Sequence, residues 1–128
     1  MKKLISIFLS LFVVGCASNI DPMIEQKAKE PLYCDGAEQC SLYWKRAEYW
    51  VSTNSRWKLE TVTDVTIRTA NPLANDPYLA FQVSKKPITS DKYQILIAAY
   101  CDNMFGCVPN KYGAMAAFKQ YVKTGADN

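Results

Sequence analysis

Histidine is absent from this 128-residue chain. With it go the side chain most often used for proton transfer near neutral pH and the commonest nitrogen ligand of zinc. The spacing C-x-x-C does not occur either, which removes the thioredoxin-type redox pair. The five glycines are scattered, so there is no glycine-rich loop to cradle phosphate, and no G-x-S-x-G elbow to present a serine nucleophile. An excess of one charge sign is missing as well: 15 basic residues face 12 acidic ones. That balance excludes the electrostatic footprint expected of a protein that binds nucleic acid or an acidic surface. No apolar run approaches the roughly 20 residues that a membrane-spanning helix requires.

What the chain does have begins at its N-terminus. Lys2 and Lys3 precede a short apolar run from Leu4 to Val14, which is the layout of a signal peptide. The run closes on Val13-Val14-Gly15-Cys16, and this tetrad resembles the lipobox of the bacterial lipoproteins. The resemblance covers the first 16 residues only and implies nothing about the fold of the rest. It implies that the Cys16 thiol is diacylated, that cleavage falls before it, and that its new amine is often acylated too. Two or three chains, at about 0.8 kcal/mol per buried methylene, make a stable anchor where one is marginal. Residue 17 is alanine. In the enterobacterial members an aspartate at that place retains the protein in the inner membrane, so the resemblance implies export and residence in the outer membrane, with the lipid anchor as the membrane contact.

Beyond Cys16 the composition is that of a folded domain, 49% apolar and 21% charged over the whole chain. Loss of Lys2 and Lys3 with the signal peptide leaves 13 basic against 12 acidic residues. Residues 17–31 carry few large apolar groups and read as a flexible tether, within which Asp21 and Pro22 are placed to open a short helix that Pro31 would end. The chain therefore divides into a signal peptide (1–15), a lipidated cysteine and tether (16–31), a small α+β domain (32–123) and a C-terminal tail (124–128).

Four cysteines remain in the domain, Cys34, Cys40, Cys101 and Cys107. An even number in an exported chain reads as a disulfide framework, for which three pairings exist. Both pairs have the form C-D-x4-C and each encloses a glycine able to take a left-handed turn. The spacing favours two local rings over crossed pairs and does not match a zinc site.

Hydrophobic periodicity supplies the elements. From Ser41, a candidate cap, the segment to Val51 places Tyr43, Ala47, Trp50 and Val51 on one helical face, with Thr53-Asn54-Ser55 as a stop. Trp44 and Trp50 invite a carbohydrate site, but aromatics at helical spacing read first as core. Trp57 to Thr69 alternates with a period of two, one long strand with a bulge near Val62 to Asp64. Tyr78 to Ser84 and Tyr93 to Cys101 alternate likewise, joined by turns. The last strand is apolar on both faces, which suits the sheet centre or a covered second face. Lys111 to Lys123 forms a closing helix with Ala114, Met115, Phe118, Tyr121 and Val122 on one face and Lys119 at its edge. The expected architecture is αβββα: a three-stranded antiparallel meander with both helices on one face, a two-layer sandwich stapled by disulfides.

Chemistry is sparse. Asp35 and Asp102 follow cysteines at matching places and are candidates for a carboxylate pair, though an aspartate in a tight ring more often turns its own backbone. No metal or cofactor is implied. The expectation is a non-catalytic binding or accessory protein of the cell envelope. It would meet an envelope protein or cell-wall partner through a sheet edge or the turn-rich Asn71–Pro77 loop beside Tyr78. The alternative is a small hydrolase or glycan-acting enzyme using Asp, Glu, Ser or Tyr.

Overall fold

The computed structural model describes residues 20–127. The lipobox and Cys16 lie outside that range. Helix α1 (Pro22–Lys29) is followed by strand β1 (Leu32–Asp35), helix α2 (Ala37–Asn54), strands β2 (Leu59–Val62), β3 (Thr66–Thr69), β4 (Ala80–Pro87) and β5 (Lys92–Tyr100), and helix α3 (Lys111–Thr124). The fold is α+β, with one five-stranded sheet in the order β1-β5-β4-β3-β2 and every neighbouring pair antiparallel.

Two strands more than the expected three arise at places where local chemistry overrides the pattern. The alternation from Trp57 to Thr69 is not one bulged strand but the hairpin β2–β3. Thr63 makes the turn, its Oγ1 accepting from Val65 N at 3.2 Å and Thr66 N at 3.0 Å, while Thr63 N donates to Thr66 O. The turn preserves the parity of the apolar positions, so period alone does not separate a hairpin from a long strand. Strand β1 comes from the first residues of the expected domain, at the mouth of the first ring, for which no element was expected. It pairs with β5, Leu32 opposite Ile95 and Asp35 opposite Lys92, and buries Leu32 and Cys34.

The core lies between the sheet and the helices on one of its faces. Trp50 sits at its centre, edge-on to Phe81 at 5.3 Å and to Phe118 at 5.4 Å. Ile67, Val83 and Ile95 supply the sheet side, Ala47, Val51 and Val122 the helix side. Trp44 is buried too, its Nε1 donating to Thr63 O at 3.0 Å and so tying α2 to the hairpin turn. Buried Thr69 extends the sheet by its side chain: Oγ1 accepts from Phe81 N at 3.1 Å and donates to Ala70 O at 3.0 Å. Among the described residues, no helix lies over the other face of the sheet. Arg68, Gln82, Leu96 and Ala98 stand exposed there, so the second apolar face of β5 is uncovered.

The N-terminal boundary also differs from expectation. Residues 22–31 are not a flexible tether; α1 packs along α3 with Ala28 fully buried. Asp21 caps α1, accepting from Met23 N at 2.9 Å, with Pro22 in the first turn. The decisive contact is Lys119. Placed by periodicity at the edge of α3, it is only 9% exposed because α1 covers it, and its Nζ donates to Ala28 O at 2.6 Å and Glu30 O at 2.5 Å. A buried ammonium thus satisfies the carbonyls that the end of α1 leaves without intrahelical partners. Burial holds this amine below the ordinary lysine value of 10.5, with Lys123 adding to the effect and Glu30 opposing it.

Helix α2 starts four residues earlier than its expected cap. Gly36, at φ +81°, is the N-cap in place of Ser41, and Cys40 lies in the first turns of the helix. Helix α3 is capped by Asn110, whose Oδ1 accepts from Tyr112 N and Gly113 N, and ends at Gly125 in the left-handed conformation. A Cβ at Gly125 would approach Arg46 Nη2 to 2.9 Å, and Arg46 is committed there, donating to Val122 O and Lys123 O.

Candidate docking surface

Both rings close locally, Cys34 with Cys40 and Cys101 with Cys107. They do different work. The first is buried and joins edge strand β1 to α2, so it belongs to the core. The second follows β5, and its cysteines are partly exposed.

The register of β5 separates the two rings, and with them the two candidate carboxylates. Asp35 is opposite Lys92 at one end of β5, whereas Asp102 lies two residues beyond Tyr100 at the other. Ten residues of extended chain at about 3.3 Å each put them roughly 30 Å apart, so Asp35 and Asp102 form no pair. Nor does either make the expected aspartate turn. In the first ring Gln39 Oε1 accepts from Asp35 N at 2.7 Å. In the second, Asn103 does the turning, its Oδ1 accepting from Phe105 N at 2.8 Å.

Carboxylates do share one hollow, at the first-ring end. Asp35 and Glu38 line it with Tyr43, Arg46 and Lys123. Both carboxylates are exposed, so nothing there excludes water from a reacting bond. A second hollow beside Trp44 is lined by Lys85, whose Nζ lies 5.0 Å from the Trp44 ring centre and 5.5 Å from that of Tyr93. Among the described residues no three Cys, Asp or Glu side chains gather as a metal-binding set. No helix there is long and apolar enough to cross a membrane.

The second ring and the 71–78 loop, separate features in the sequence, form one surface. Asn103 Nδ2 donates to Asn75 O at 2.8 Å, Val108 N to Pro77 O at 2.7 Å, and the Tyr100 hydroxyl to Asn71 Oδ1 at 3.3 Å. Tyr78 and Val108 pair as an isolated parallel bridge. Within the loop Asn75 takes a left-handed conformation, and Asp76 accepts from Tyr78 N at 2.9 Å. Large apolar side chains point outward from this scaffold: Phe105 is 92% exposed, Met104 87% and Leu73 66%, with Val108 and Tyr78 beside them. Arg56 stacks on Tyr78 with its guanidinium 4.3 Å from the ring centre. Exposed apolar groups scattered singly are ordinary, but five on two cross-linked loops make a patch. Periodicity could not find it, since Met104 and Phe105 belong to no strand or helix; the signal available was a Met-Phe pair inside a ring of otherwise polar residues.

Comparison with known proteins identifies no relative: no family model, no curated protein and no solved structure matches the chain.

Proposed function

We propose that this protein is a lipid-anchored component of the cell envelope that acts by binding a partner, with no bond made or broken. The observation that carries the reading is the patch of Leu73, Met104 and Phe105, apolar side chains held in solvent on braced loops. Exposure of that kind is the usual mark of an interaction surface. The anchor rests on the resemblance of Val13-Val14-Gly15-Cys16 to the lipobox, and the outer membrane on Ala17. Anchoring suits binding, because confinement to a surface raises the effective concentration of the domain toward other envelope components and makes a weak interface useful.

The test has two arms. Cys16→Ser is expected to abolish incorporation of labelled fatty acid and to release the protein from membranes; acylated, membrane-bound Cys16→Ser protein refutes the anchor. In-cell crosslinking of the wild-type chain, set beside assays on peptidoglycan and ester substrates, addresses the activity. Reproducible turnover that disappears on replacing one Asp, Glu or Ser, with the fold retained, replaces binding by a small hydrolase. The Asp35 and Glu38 hollow is then the first place to look.

A further inference from the structure

Two lysines, one on α3 and one on β4, are turned inward. Lys119 is the first, and its ammonium is satisfied by the carbonyls of Ala28 and Glu30. Lys85 is the second. On β4 it continues the row of Phe81 and Val83, both buried, and it stands opposite buried Ile95 of β5. Strand alternation therefore aims its side chain toward the core face, where an apolar residue would be expected. It is half-buried there.

What flanks this ammonium is aromatic. The Trp44 and Tyr93 rings attract the cation, but a ring face supplies no lone pair for its N–H groups. Among the described residues Lys85 Nζ has no hydrogen-bond or ion-pair partner. Its donors are left to the hollow in front of them, a cleft of about 410 Å³ between the start of α2 and the β2–β3 turn. Inward polar groups are paired as a rule, as Lys119 is, so an unpaired ammonium at this position marks a place for an acceptor that the chain does not supply.

The rest of the cleft says what carries that acceptor. Ala37, Cys40 and the two rings give apolar walls, and Ser41 adds a single hydroxyl. Lys45 and Asp64 also line it and are exposed. The lining charges, Lys45 and Lys85 against Asp64, leave a net charge of +1. One carboxylate balances that, whereas a phosphate monoester, at about −1.5 to −2 near neutral pH, exceeds it and is repelled by Asp64. The walls are set before any ligand arrives: Trp44 by the bond from Nε1 to Thr63 O, Cys40 by its disulfide, Tyr93 by its place in β5. Little ordering has to accompany binding.

We propose that this cleft binds a small organic acid, a monocarboxylate with an apolar or aromatic body. Lys85 donates to the carboxylate, and the body lies against the Trp44 and Tyr93 rings. The site depends neither on the anchor at Cys16 nor on the exposed patch around Phe105.

The full-length chain carrying Cys16→Ser is titrated with phenylpropionate and with hexanoate and followed by heteronuclear NMR. The indole N–H of Trp44 reports on the cleft, and that of Trp57, bonded to Tyr78 O beside the second ring, is the internal control. Saturable shifts at Trp44 with Trp57 unmoved are expected. Phenylpropanamide has the same shape without the charge and should bind at least about tenfold more weakly. Lys85→Met keeps the aliphatic stem against the rings and should weaken the acid by a similar factor, whereas Lys85→Arg should retain most of the binding. The proposal is overturned if neither acid gives a saturable shift at Trp44, if the amide binds as tightly as the acid, or if folded Lys85→Met binds the acid as well as the parent chain. Tighter binding of phenyl phosphate than of either acid overturns the charge assignment and with it the ligand class. The contrast between acid and amide is read on the unaltered cleft, so the test stands even where Lys85→Met perturbs the fold.

Discussion

Replacing Lys119 by methionine should free the N-terminal helix while leaving the rest of the domain folded. An eight-residue helix is well short of the roughly 12–15 residues at which isolated helices become even marginal in water, so α1 is helical because it is docked. Methionine keeps most of the aliphatic stem and removes the ammonium, and with it the bonds to Ala28 O and Glu30 O. Glu30 is exposed and its carbonyl can turn to water. Ala28 is fully buried, and an orphaned buried carbonyl costs about 1–3 kcal/mol. Part of that is offset, since the variant no longer keeps a cation out of water. A net loss of about 1.5 kcal/mol corresponds to roughly tenfold faster local opening. The assay is amide hydrogen exchange across residues 23–29, with β4 and β5 as the internal reference and exposed Lys123→Met as the control. The pH dependence carries a sign. Because the folded amine titrates below 10.5 and the unfolded one at it, the unfolded state holds more protons in that interval. The advantage of wild type over Lys119→Met should therefore widen as pH rises through the interval and level off above it. Unchanged α1 exchange in Lys119→Met, or an advantage that shrinks with rising pH, refutes the reasoning.

Two further outcomes follow from the hydrogen bonds and rings. Thr69→Val keeps shape and β-propensity but leaves Phe81 N without its partner at a buried site, and should cost about 1–3 kcal/mol in urea unfolding; a loss within error of zero shows that the hydroxyl is not structural. Non-reducing peptide mapping should recover Cys34–Cys40 and Cys101–Cys107, and mild reductant should open the partly exposed second pair before the buried first. Each ring is short, so opening one should cost on the order of 2–3 kcal/mol by chain entropy. A crosslinked peptide joining the two rings, or the reverse order of reduction, contradicts this account.

Much of the fold was legible because it follows from local pattern. The apolar faces of α2 and α3, the β4–β5 alternation and the pairing within C-D-x4-C all come from residues near one another in the chain. The elements that were missed depend on distant partners. Leu32 to Asp35 is too short to show a period, and becomes a strand because β5 has an open edge. The helix at Pro22 to Lys29 was legible from Asp21, Pro22 and Pro31, and only its docking was missed, because that depends on a lysine 91 residues beyond Ala28 meeting its carbonyls. The alternation from Trp57 to Thr69 concealed a turn for the opposite reason, since Thr63 and its neighbours keep the strand parity. Asp35 and Asp102 looked equivalent because their sequence surroundings match, and only the register of β5 sets them at opposite ends. The tip was half legible: the 71–77 loop and Tyr78 were evident as turn residues, but their union with Met104 and Phe105 is made by Asn103 and Asn75, side chains with no pattern to betray them.

The first ring has a mechanical consequence. If the proposed anchor at Cys16 holds the domain, a tug enters through Pro22, and the load meets α1 first, then the four-residue edge strand β1. Edge strands pulled from one end unzip one bond at a time, which is the weak mode of failure. Here unzipping runs only two residues into β1 before it reaches Cys34, whose covalent link passes the force to Cys40 in α2. Helix α2 is wedged by Trp50 between Phe81 and Phe118, so the load is spread over the whole core at once. The chain is thus built as a compliant lead-in followed by a hard stop: α1 and the start of β1 can yield under strain and re-seat afterwards, while the tip at the far end keeps its shape.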